Sequence, residues 1–230
     1  MSVPKKSEPL VLIGDSSFAE IAFEYFTKDS RYEVVAFSVE KNYLRRSELF
    51  GRPVVPFEEL PARYPAETHA AHVAVPYTQL NRLRLRLGGE LRRWGYRLAS
   101  YVSSRAFVWD NVKLGEHCFI FEDNTVQPFV TLEDFVILWS GNHIGHHSCV
   151  REGCFVSSHV VVSGHCEIGR RCFLGVNATI GNNVKIGDDC WLGPGTTVVR
   201  DVTPGTLFKG QRDVPEKISS LEYLERRGLL

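Results

Sequence analysis

An aliphatic residue recurs every six positions through the second half of this chain. From Val102 to Val198, seventeen consecutive positions of this register hold only valine, isoleucine or leucine. Those between the two ends are Val108, Leu114, Ile120, Val126, Leu132, Leu138, Ile144, Val150, Val156, Val162, Ile168, Leu174, Ile180, Ile186 and Leu192. These three residue types make up roughly a quarter of an ordinary chain, so chance does not explain the run.

A strict period of six fits neither an α-helix, which repeats every 3.6 residues, nor a simple alternating strand. It fits a β-solenoid, in which three hexapeptides form one triangular coil of about eighteen residues and the aliphatic side chains point inward. The register predicts between about five and six stacked coils. We therefore expect a left-handed parallel β-helix over residues 102–214, followed by a short C-terminal helix within 215–230.

Two companion registers support the solenoid. Glycine often follows the aliphatic residue directly, where we expect it to allow a tight turn between flat faces. A small or modest residue lies two positions before the aliphatic one, and five of the six cysteines occupy this register. We interpret those cysteines as apolar packing residues rather than metal ligands or redox groups. Cys149 is out of register, and we expect it to be a surface or subunit-facing thiol.

The first 101 residues follow a different pattern, in which short apolar runs alternate with helical stretches. Strands are predicted at 10–14, 32–39, 70–76 and 96–102, helices at 18–26 and 78–95, and a connecting segment at 44–68. The alternation predicts a small α/β domain with a parallel sheet.

The whole-chain composition narrows the class of partner. Hydrophobic residues make up 43% of the 230 residues, enough for one large or two small domains with buried cores. Lys and Arg total 27, as do Asp and Glu, so no basic excess indicates binding to nucleic acid or to an anionic membrane. The apolar run near the N-terminus is too short for a signal peptide or a spanning helix. We expect a cytoplasmic protein whose partners are a small molecule and further copies of itself.

The loop Gly14-Asp15-Ser16-Ser17 joins the first predicted strand to the first predicted helix. A helix N-terminus at this place can hold a phosphate with backbone N–H groups, which makes the four residues candidates for substrate binding. A full GxGxxG motif is absent, and Ser16 or Ser17 can instead cap the helix. The alternatives of phosphate binding and simple capping stay open.

The chain resembles the hexapeptide-repeat sugar acetyltransferases of the sialic-acid O-acetyltransferase and bacillosamine N-acetyltransferase type. The resemblance spans nearly the whole chain and is strongest over residues 141–202. It implies an acetyl-CoA-dependent acyltransferase of bacterial surface-polysaccharide synthesis, with 1–101 as a domain that binds a sugar nucleotide. It also implies a homotrimer that binds acetyl-CoA in the groove between neighbouring solenoids and needs no metal.

The resemblance assigns roles to individual residues. His146 matches the family's catalytic base, and His147 stands where an acidic residue usually orients that base. Gly164, Val176 and Gly195 are implied to line the path of the pantetheine chain. Lys209 and Arg212 are candidates to pair with CoA phosphates, although the family's Gly-x-Pro-Ala turn is absent there.

A histidine at position 146 also suits the chemistry without the resemblance. Acetyl transfer from a thioester needs a base that works near neutral pH, and histidine is that side chain. The residue one coil after His146 is Gly164, which we expect to leave open space beside the ring for the thioester. By the same spacing, His147 is predicted to stack on His165.

Other functions remain open at this level. N-acetylation of an amino sugar linked to UDP, GDP or dTDP is favoured, and O-acetylation of sialic acid or a related sugar is the alternative within the class. A zinc hydratase of the β-helix carbonic anhydrase kind would need three histidines, which His117, His143, His146 and His147 can supply in principle. Against it, His146 and His147 are adjacent and are expected to point to opposite sides of a strand. A catalytically silent solenoid scaffold is a third alternative.

Overall fold

The structure is a computed structural model and describes residues 6–210 and 217–227. Its N-terminal part alternates strands with helices, as the sequence predicts. The elements are β1 Glu8–Ile13, α1 Ser17–Lys28, β2 Tyr32–Val39, β3 Glu48–Leu49, β4 Arg52–Pro56, α2 Leu60–Arg63, β5 Ala70–Val73, α3 Arg82–Arg93 and β6 Arg97–Leu98.

These strands form one sheet in the order β3-β4-β2-β1-β5-β6. All neighbours pair in parallel except β3 and β4, which form a short antiparallel hairpin. The central strand β1 is buried from Leu10 to Ile13 because both faces of the sheet are covered, which explains its continuous apolar run. The predicted α/β domain with a small parallel sheet is therefore confirmed.

Three local predictions in this part are wrong. The segment 44–68 is not a plain connection, since it contains β3, β4 and α2, and β4 extends the sheet beside β2. The helix predicted at 78–95 begins only at Arg82, because Gln79, Leu80 and Asn81 have φ of 55°, 50° and 65°. The strand predicted at 96–102 is divided into β6 and a separate solenoid strand.

A parallel β-helix of two-residue strands follows, with three flat faces. The first face contains β7 Tyr101–Val102, β10 Phe119–Ile120, β13 Ile137–Leu138, β16 Phe155–Val156, β19 Phe173–Leu174, β22 Trp191–Leu192 and β24 Leu207–Phe208. The second contains β8 Phe107–Val108, β11 Thr125–Val126, β14 His143–Ile144, β17 Val161–Val162, β20 Thr179–Ile180 and β23 Thr197–Val198. The third contains β9 Lys113–Leu114, β12 Thr131–Leu132, β15 Cys149–Val150, β18 Glu167–Ile168 and β21 Lys185–Ile186.

Each residue of a strand pairs with the residue eighteen positions later, except in the last coil, where Trp191 pairs with Leu207 and Leu192 with Phe208. Ile120 pairs with Leu138, for example, and Val126 with Ile144. The aliphatic register is the second residue of each strand and forms a continuous core from Ile120 to Val198. Val102 and Leu114 are 37% and 39% exposed because they belong to the first coil, which no earlier coil covers.

The turns between faces share a left-handed backbone position that the sequence pattern does not reveal. The third residue after the aliphatic position has positive φ throughout, from His117 at 57° to Gly195 at 68°. Histidine, asparagine and aspartate tolerate this left-handed conformation better than most residues, and they fill most of these positions. His147, His159 and His165 are therefore placed by the turn geometry as well as by any function.

The glycines that follow the aliphatic residues serve close approach rather than turning. A β-carbon at Gly145 would lie 2.5 Å from the carbonyl carbon of Ser163 in the next coil, and one at Gly169 would lie 2.5 Å from that of Gly187. Neither glycine has positive φ. The predicted role in tight turning is therefore wrong: only a residue without a side chain lets successive coils pack at this position.

The in-register cysteines are buried and free, so the packing interpretation is confirmed. Their thiols also donate weak hydrogen bonds to turn carbonyls of the next coil. The Sγ atom of Cys154 lies 2.9 Å from the oxygen of Gly169, and that of Cys166 lies 3.0 Å from the oxygen of Gly181. Burial raises the pKa of the Cys118 thiol to about 12, so it stays protonated.

The α/β domain packs against the first face of the solenoid through aromatic side chains. Phe18, Tyr25 and Phe26 from α1 contact Phe119 and Phe121 with ring centroids between 4.9 and 6.4 Å apart. The two parts therefore share a core, and the geometry of one fixes the position of the other.

Arg84 of α3 crosses this junction and is fully buried. Its guanidinium donates to the carbonyl oxygens of Val75, Pro76, Phe135 and Gly153 and pairs with no carboxylate among the described residues. Carbonyl dipoles from both domains thus compensate the buried charge, which ties α3 to the turns that join the third face of the solenoid to the first face.

Two histidines are buried beside Arg84. The rings of His72 and His117 stack with centroids 4.1 Å apart, and His72 Nδ1 donates to the carbonyl of Ala99 over 2.8 Å. His117 Nε2 accepts from the backbone N–H of Val73. Burial, with the charge of Arg84 as a smaller cause, lowers the pKa of His72 to about 4, and burial lowers that of His117 well below its ordinary value.

The last described element is α4, Ser220–Arg226, which begins with a capping box between Ser219 and Glu222. The predicted C-terminal helix exists, and none of its residues is buried. Among the described residues, no helix has the length and apolar character that crossing a membrane requires.

The buried histidine pair predicts a loss of stability in mild acid. An unfolded histidine takes up a proton near pH 6.5, whereas folded His72 does so only near pH 4. The contribution of neutral His72 to the free energy of unfolding is therefore fully present above about pH 6.5. This contribution is lost as pH falls toward 4, which lowers the free energy of unfolding by on the order of 3 kcal/mol for His72 alone. Chemical unfolding of wild type and His72→Asn at pH 7 and pH 5 measures this. We expect a smaller acid loss in His72→Asn but not in the control His69→Asn, and equal losses in all three would contradict the assignment.

Candidate active site

His146 and His147 lie in the turn that joins β14 of the second face to β15 of the third face. We call the stacked turns of this edge the second corner; the first corner joins the first face to the second, and the third corner closes the coil. His147 has the left-handed φ of 59°. Its backbone N–H donates to Pro128 in the previous coil, while that of His146 donates to the side-chain oxygen of Gln127 over 2.9 Å.

The rings of the two adjacent histidines meet instead of diverging. Their Nδ1 atoms are 3.1 Å apart and the ring planes are nearly perpendicular, at 88°. The expectation that the side chains point to opposite sides of a strand is therefore wrong. Strand alternation does not apply because both residues belong to the turn, where the left-handed backbone at His147 turns its side chain toward His146.

His147 is held in a stack of rings along the second corner. Its ring lies 4.6 Å from that of Phe129 on one side and 4.8 Å from that of His165 on the other. The predicted stacking of His147 on His165 is confirmed, with an interplanar angle of 15°. The stack restricts rotation of the His147 ring and so keeps its Nδ1 directed at His146.

The ring of His146 packs directly over Gly164. A β-carbon at Gly164 would lie 2.8 Å from Cε1 and 2.9 Å from Nε2 of His146. The space beside Gly164 is therefore occupied by the ring itself, and the expectation that it stays open for a thioester is wrong. The glycine instead lets His146 lie against the backbone of the next coil.

The hydrogen bond between the two Nδ1 atoms determines what His146 can do. If His146 donates through Nδ1–H, its Nε2 carries the free lone pair that a general base requires. His147 then accepts at Nδ1 and has its own proton on Nε2. His146 Nε2 has no hydrogen-bond partner among the described residues, and the side chain is exposed, so a substrate can reach it.

The residues predicted to bind CoA lie at two different corners. Val176 and Gly195 are adjacent at the first corner, where the backbone N–H of Gly195 donates to the oxygen of Val176 over 2.8 Å. Lys209 follows β24 at the same corner, and its side chain is exposed. Gly164 lies at the second corner, so it is not brought together with the other three within one chain. Arg212 lies outside the described residues.

The predicted substrate loop lies at the carboxyl end of β1. Gly14 has φ of 126°, and a β-carbon there would lie 2.8 Å from the oxygen of Ala74. Asp15 forms an ion pair with Arg46 at 3.4 Å, while Ser16 and Ser17 are exposed at the start of α1. Ser16 occupies the N-cap position but its hydroxyl makes no capping hydrogen bond, so the first amides of α1 are not satisfied by it.

The four histidines considered for a zinc hydratase do not meet within one chain. His117 is buried against His72 at the domain junction, and His143 lies on the second face, away from that junction. His146 and His147 instead form a group with His165, in which one ligand atom from each ring lies within 4.8 Å of the others. The eighteen-residue spacing predicts the stack of His147 on His165. It does not predict that the ring of His146 lies close to both of them.

The structure resembles solved enzymes over nearly its whole length. A mutant of perosamine N-acetyltransferase from Caulobacter crescentus, in complex with CoA and GDP-perosamine, matches with a TM-score of 0.78 and 25% identity, covering 90% of this chain and 95% of that one. The acetyltransferase domain of PglB from Neisseria gonorrhoeae matches with a TM-score of 0.76 and 21% identity, covering 87% and 96%. The likeness at 25% identity is to a sugar N-acetyltransferase, and the PglB domain shares the fold. The predicted resemblance and the predicted fold are both confirmed.

No protein-family model matches this sequence, and no curated protein matches it either. The likeness to the acetyltransferases is thus one of structure, at an identity of 25% or less for the two enzymes above. The short repeat explains this, because a solenoid requires only a few residue types per hexapeptide and leaves the remaining positions free to differ.

The contact between His146 and Gly164 gives a direct test of the prediction that His146 is the base. Gly164→Ala adds a methyl group within 3 Å of the ring, without backbone strain because φ is not positive. We expect the ring to be displaced and acetyl transfer to fall by about 10²-fold with the fold intact. Gly181→Ala is the matched control, because its β-carbon would have no neighbour nearer than 3.5 Å. Steady-state kinetics with circular dichroism would measure both, and equal rates in the two variants would contradict the placement of the base.

Proposed function

We propose that this chain is an acetyl-CoA-dependent acetyltransferase that N-acetylates an amino sugar linked to a nucleotide. The observation that carries the proposal is the likeness to perosamine N-acetyltransferase, which covers 90% of this chain and includes both domains. That enzyme was solved with CoA and GDP-perosamine, a nucleotide-linked amino sugar. The pair formed by His146 and His147 supplies the chemical group that such a reaction requires.

In the proposed reaction, the sugar amine attacks the thioester carbonyl of acetyl-CoA, the C–S bond breaks, and CoA leaves as a thiolate that receives the proton His146 has removed from the amine. His146 Nε2 takes the proton that the amine loses as the new bond forms. The resulting imidazolium keeps its Nδ1–H hydrogen bond to His147 Nδ1, so the ring does not turn as it becomes charged. His147 therefore takes the orienting role that an acidic residue usually has in the family.

The loop Gly14–Ser17 is the proposed contact for the nucleotide diphosphate. It lies in the first strand-to-helix turn at the carboxyl edge of a parallel sheet, where ligands bind in such folds. The uncapped amides at the start of α1 offer hydrogen bonds to phosphate oxygens, and Arg46 offsets the charge of Asp15 beside them. The sequence-level alternative of simple capping by Ser16 receives no support, since its hydroxyl caps nothing.

We propose a homotrimer, because the residues proposed to form the site lie at two separate corners of one chain. The loop at the start of α1 adjoins the first corner, where Phe18 contacts Phe121 and Trp139, whereas His146 lies at the second corner. Val176, Gly195 and Lys209 also lie at the first corner. A site that uses both corners forms when the second corner of one copy faces the first corner of its neighbour, as cyclic symmetry allows.

The proposed location is the cytoplasm. The six cysteines are free, and burial raises the thiol pKa of Cys118, Cys166 and Cys190, which keeps these thiols protonated and poorly nucleophilic. Free thiols are the usual state of cysteine in the cytosol.

Arg212, for which a phosphate contact is proposed beside Lys209, lies outside the described residues.

Release of free CoA thiol from acetyl-CoA tests the function. The acceptor panel contains UDP-, GDP- and dTDP-linked amino sugars, with free sialic acid for the O-acetylation alternative. We expect turnover with an amino sugar, and a loss of about 10²–10⁴-fold in His146→Ala with acetyl-CoA binding retained. The control His69→Asn removes a partly exposed histidine directly before β5 of the α/β domain and should retain the rate. Full activity in His146→Ala would contradict the assignment of the base, and no turnover with any acceptor would contradict the function.

Subunit mixing tests the shared site. Ser16→Glu places a negative charge where phosphate is proposed to bind and is compatible with a helix N-terminus. His146→Ala and Ser16→Glu chains, each inactive alone, should regain about a quarter of wild-type activity when co-assembled at equal ratio, because that fraction of interfaces pairs two intact halves. Activity that stays at zero after verified co-assembly would indicate that each site belongs to one chain.

A further inference from the structure

The three imidazoles at the second corner form a compact group of nitrogen ligands. His146, His147 and His165 each offer one ring nitrogen, and these atoms all lie within 4.8 Å of one another. All three side chains are exposed, so an ion in solvent can reach them. Their arrangement follows from the coil spacing and from the left-handed turns at His147 and His165, with φ of 59° at both.

The distance within the first pair matches a metal chelate. A tetrahedral Zn²⁺ with Zn–N bonds of about 2.0–2.1 Å separates its ligand nitrogens by roughly 3.3 Å. The Nδ1 atoms of His146 and His147 are 3.1 Å apart. An ion that binds between them replaces the single proton of their hydrogen bond, at little cost in side-chain movement.

His165 is the third ligand and must turn to bind. Its ring is stacked on His147 with an interplanar angle of 15°, so the lone pairs of the two rings lie in nearly parallel planes. In that arrangement, the lone pairs of His147 and His165 cannot both point at one ion. The ring of His165 lies 5.0 Å from that of His146, and as an exposed side chain it can rotate to direct a nitrogen at the shared ion.

The ligand set determines the class of ion. Three neutral imidazoles suit Zn²⁺ and neighbouring transition metals, whereas Mg²⁺ and Ca²⁺ prefer oxygen. We propose that His146, His147 and His165 bind one Zn²⁺ per chain, with solvent as the fourth ligand. Because the ion occupies His146 and fixes its ring, it inhibits acetyl transfer; the inhibition rests on the proposed function, whereas the binding does not.

Direct binding is measured first, without any substrate. Chain freed of metal with a chelator is titrated with Zn²⁺ against a chromophoric zinc indicator, and Co²⁺ is titrated in parallel because its visible absorption reports tetrahedral coordination. We expect one ion per chain, and affinity at least about tenfold lower in His147→Asn and in His165→Asn. Asparagine tolerates the left-handed backbone at both positions. His69→Asn, which removes a partly exposed histidine directly before β5, is the control and should bind as wild type does.

Absence of binding, or equal affinity in wild type and His165→Asn, would overturn the site. Inhibition is measured separately as the Zn²⁺ concentration that halves acetyl transfer. This concentration should rise about tenfold in His165→Asn, in step with the loss of binding. Transfer that continues unchanged at saturating Zn²⁺ would overturn the inhibition while leaving the site. A chain that binds Zn²⁺ but transfers acetyl to no acceptor would refute the proposed function alone.

Discussion

The parallel pairing of solenoid residues eighteen positions apart is the constraint on which this structure depends. It places the aliphatic register in one continuous core, because each inward side chain is covered by its equivalent in the next coil. It also places the left-handed turn residues in columns along each corner. The stack of Phe129, His147 and His165 is one such column, so the candidate site is a product of the same repeat that stabilises the fold.

The sequence predicts most of this architecture because the repeat is a local and redundant signal. One wrong residue in a register of seventeen would not change the inferred solenoid. The α/β domain lacks such redundancy, and this explains why several predictions for it are wrong. The segment 44–68 has the prolines and mixed charge of a connection, yet β4 joins the sheet because β2 offers it a free edge. The start of α3 at Arg82 is set by three left-handed residues that a helical pattern does not reveal.

The candidate site was predictable in position but not in geometry. Residue spacing places His147 over His165 and His146 over Gly164, whereas side-chain rotation decides that the rings of His146 and His147 meet at 3.1 Å. The buried group of Arg84, His72 and His117 was missed altogether. Arg84 belongs to a helix rich in arginine, and only the packing of that helix on the solenoid distinguishes it from its exposed neighbours.

We propose that His146 Nε2 is the base at a site shared by two copies of the chain. A crystal structure with CoA and a nucleotide-linked amino sugar bound tests it most directly. We expect the sugar amine within hydrogen-bond distance of His146 Nε2, with the nucleotide diphosphate at the loop Gly14–Ser17 of a neighbouring copy. An amine bound away from the second corner, or a diphosphate held far from that loop, would contradict it.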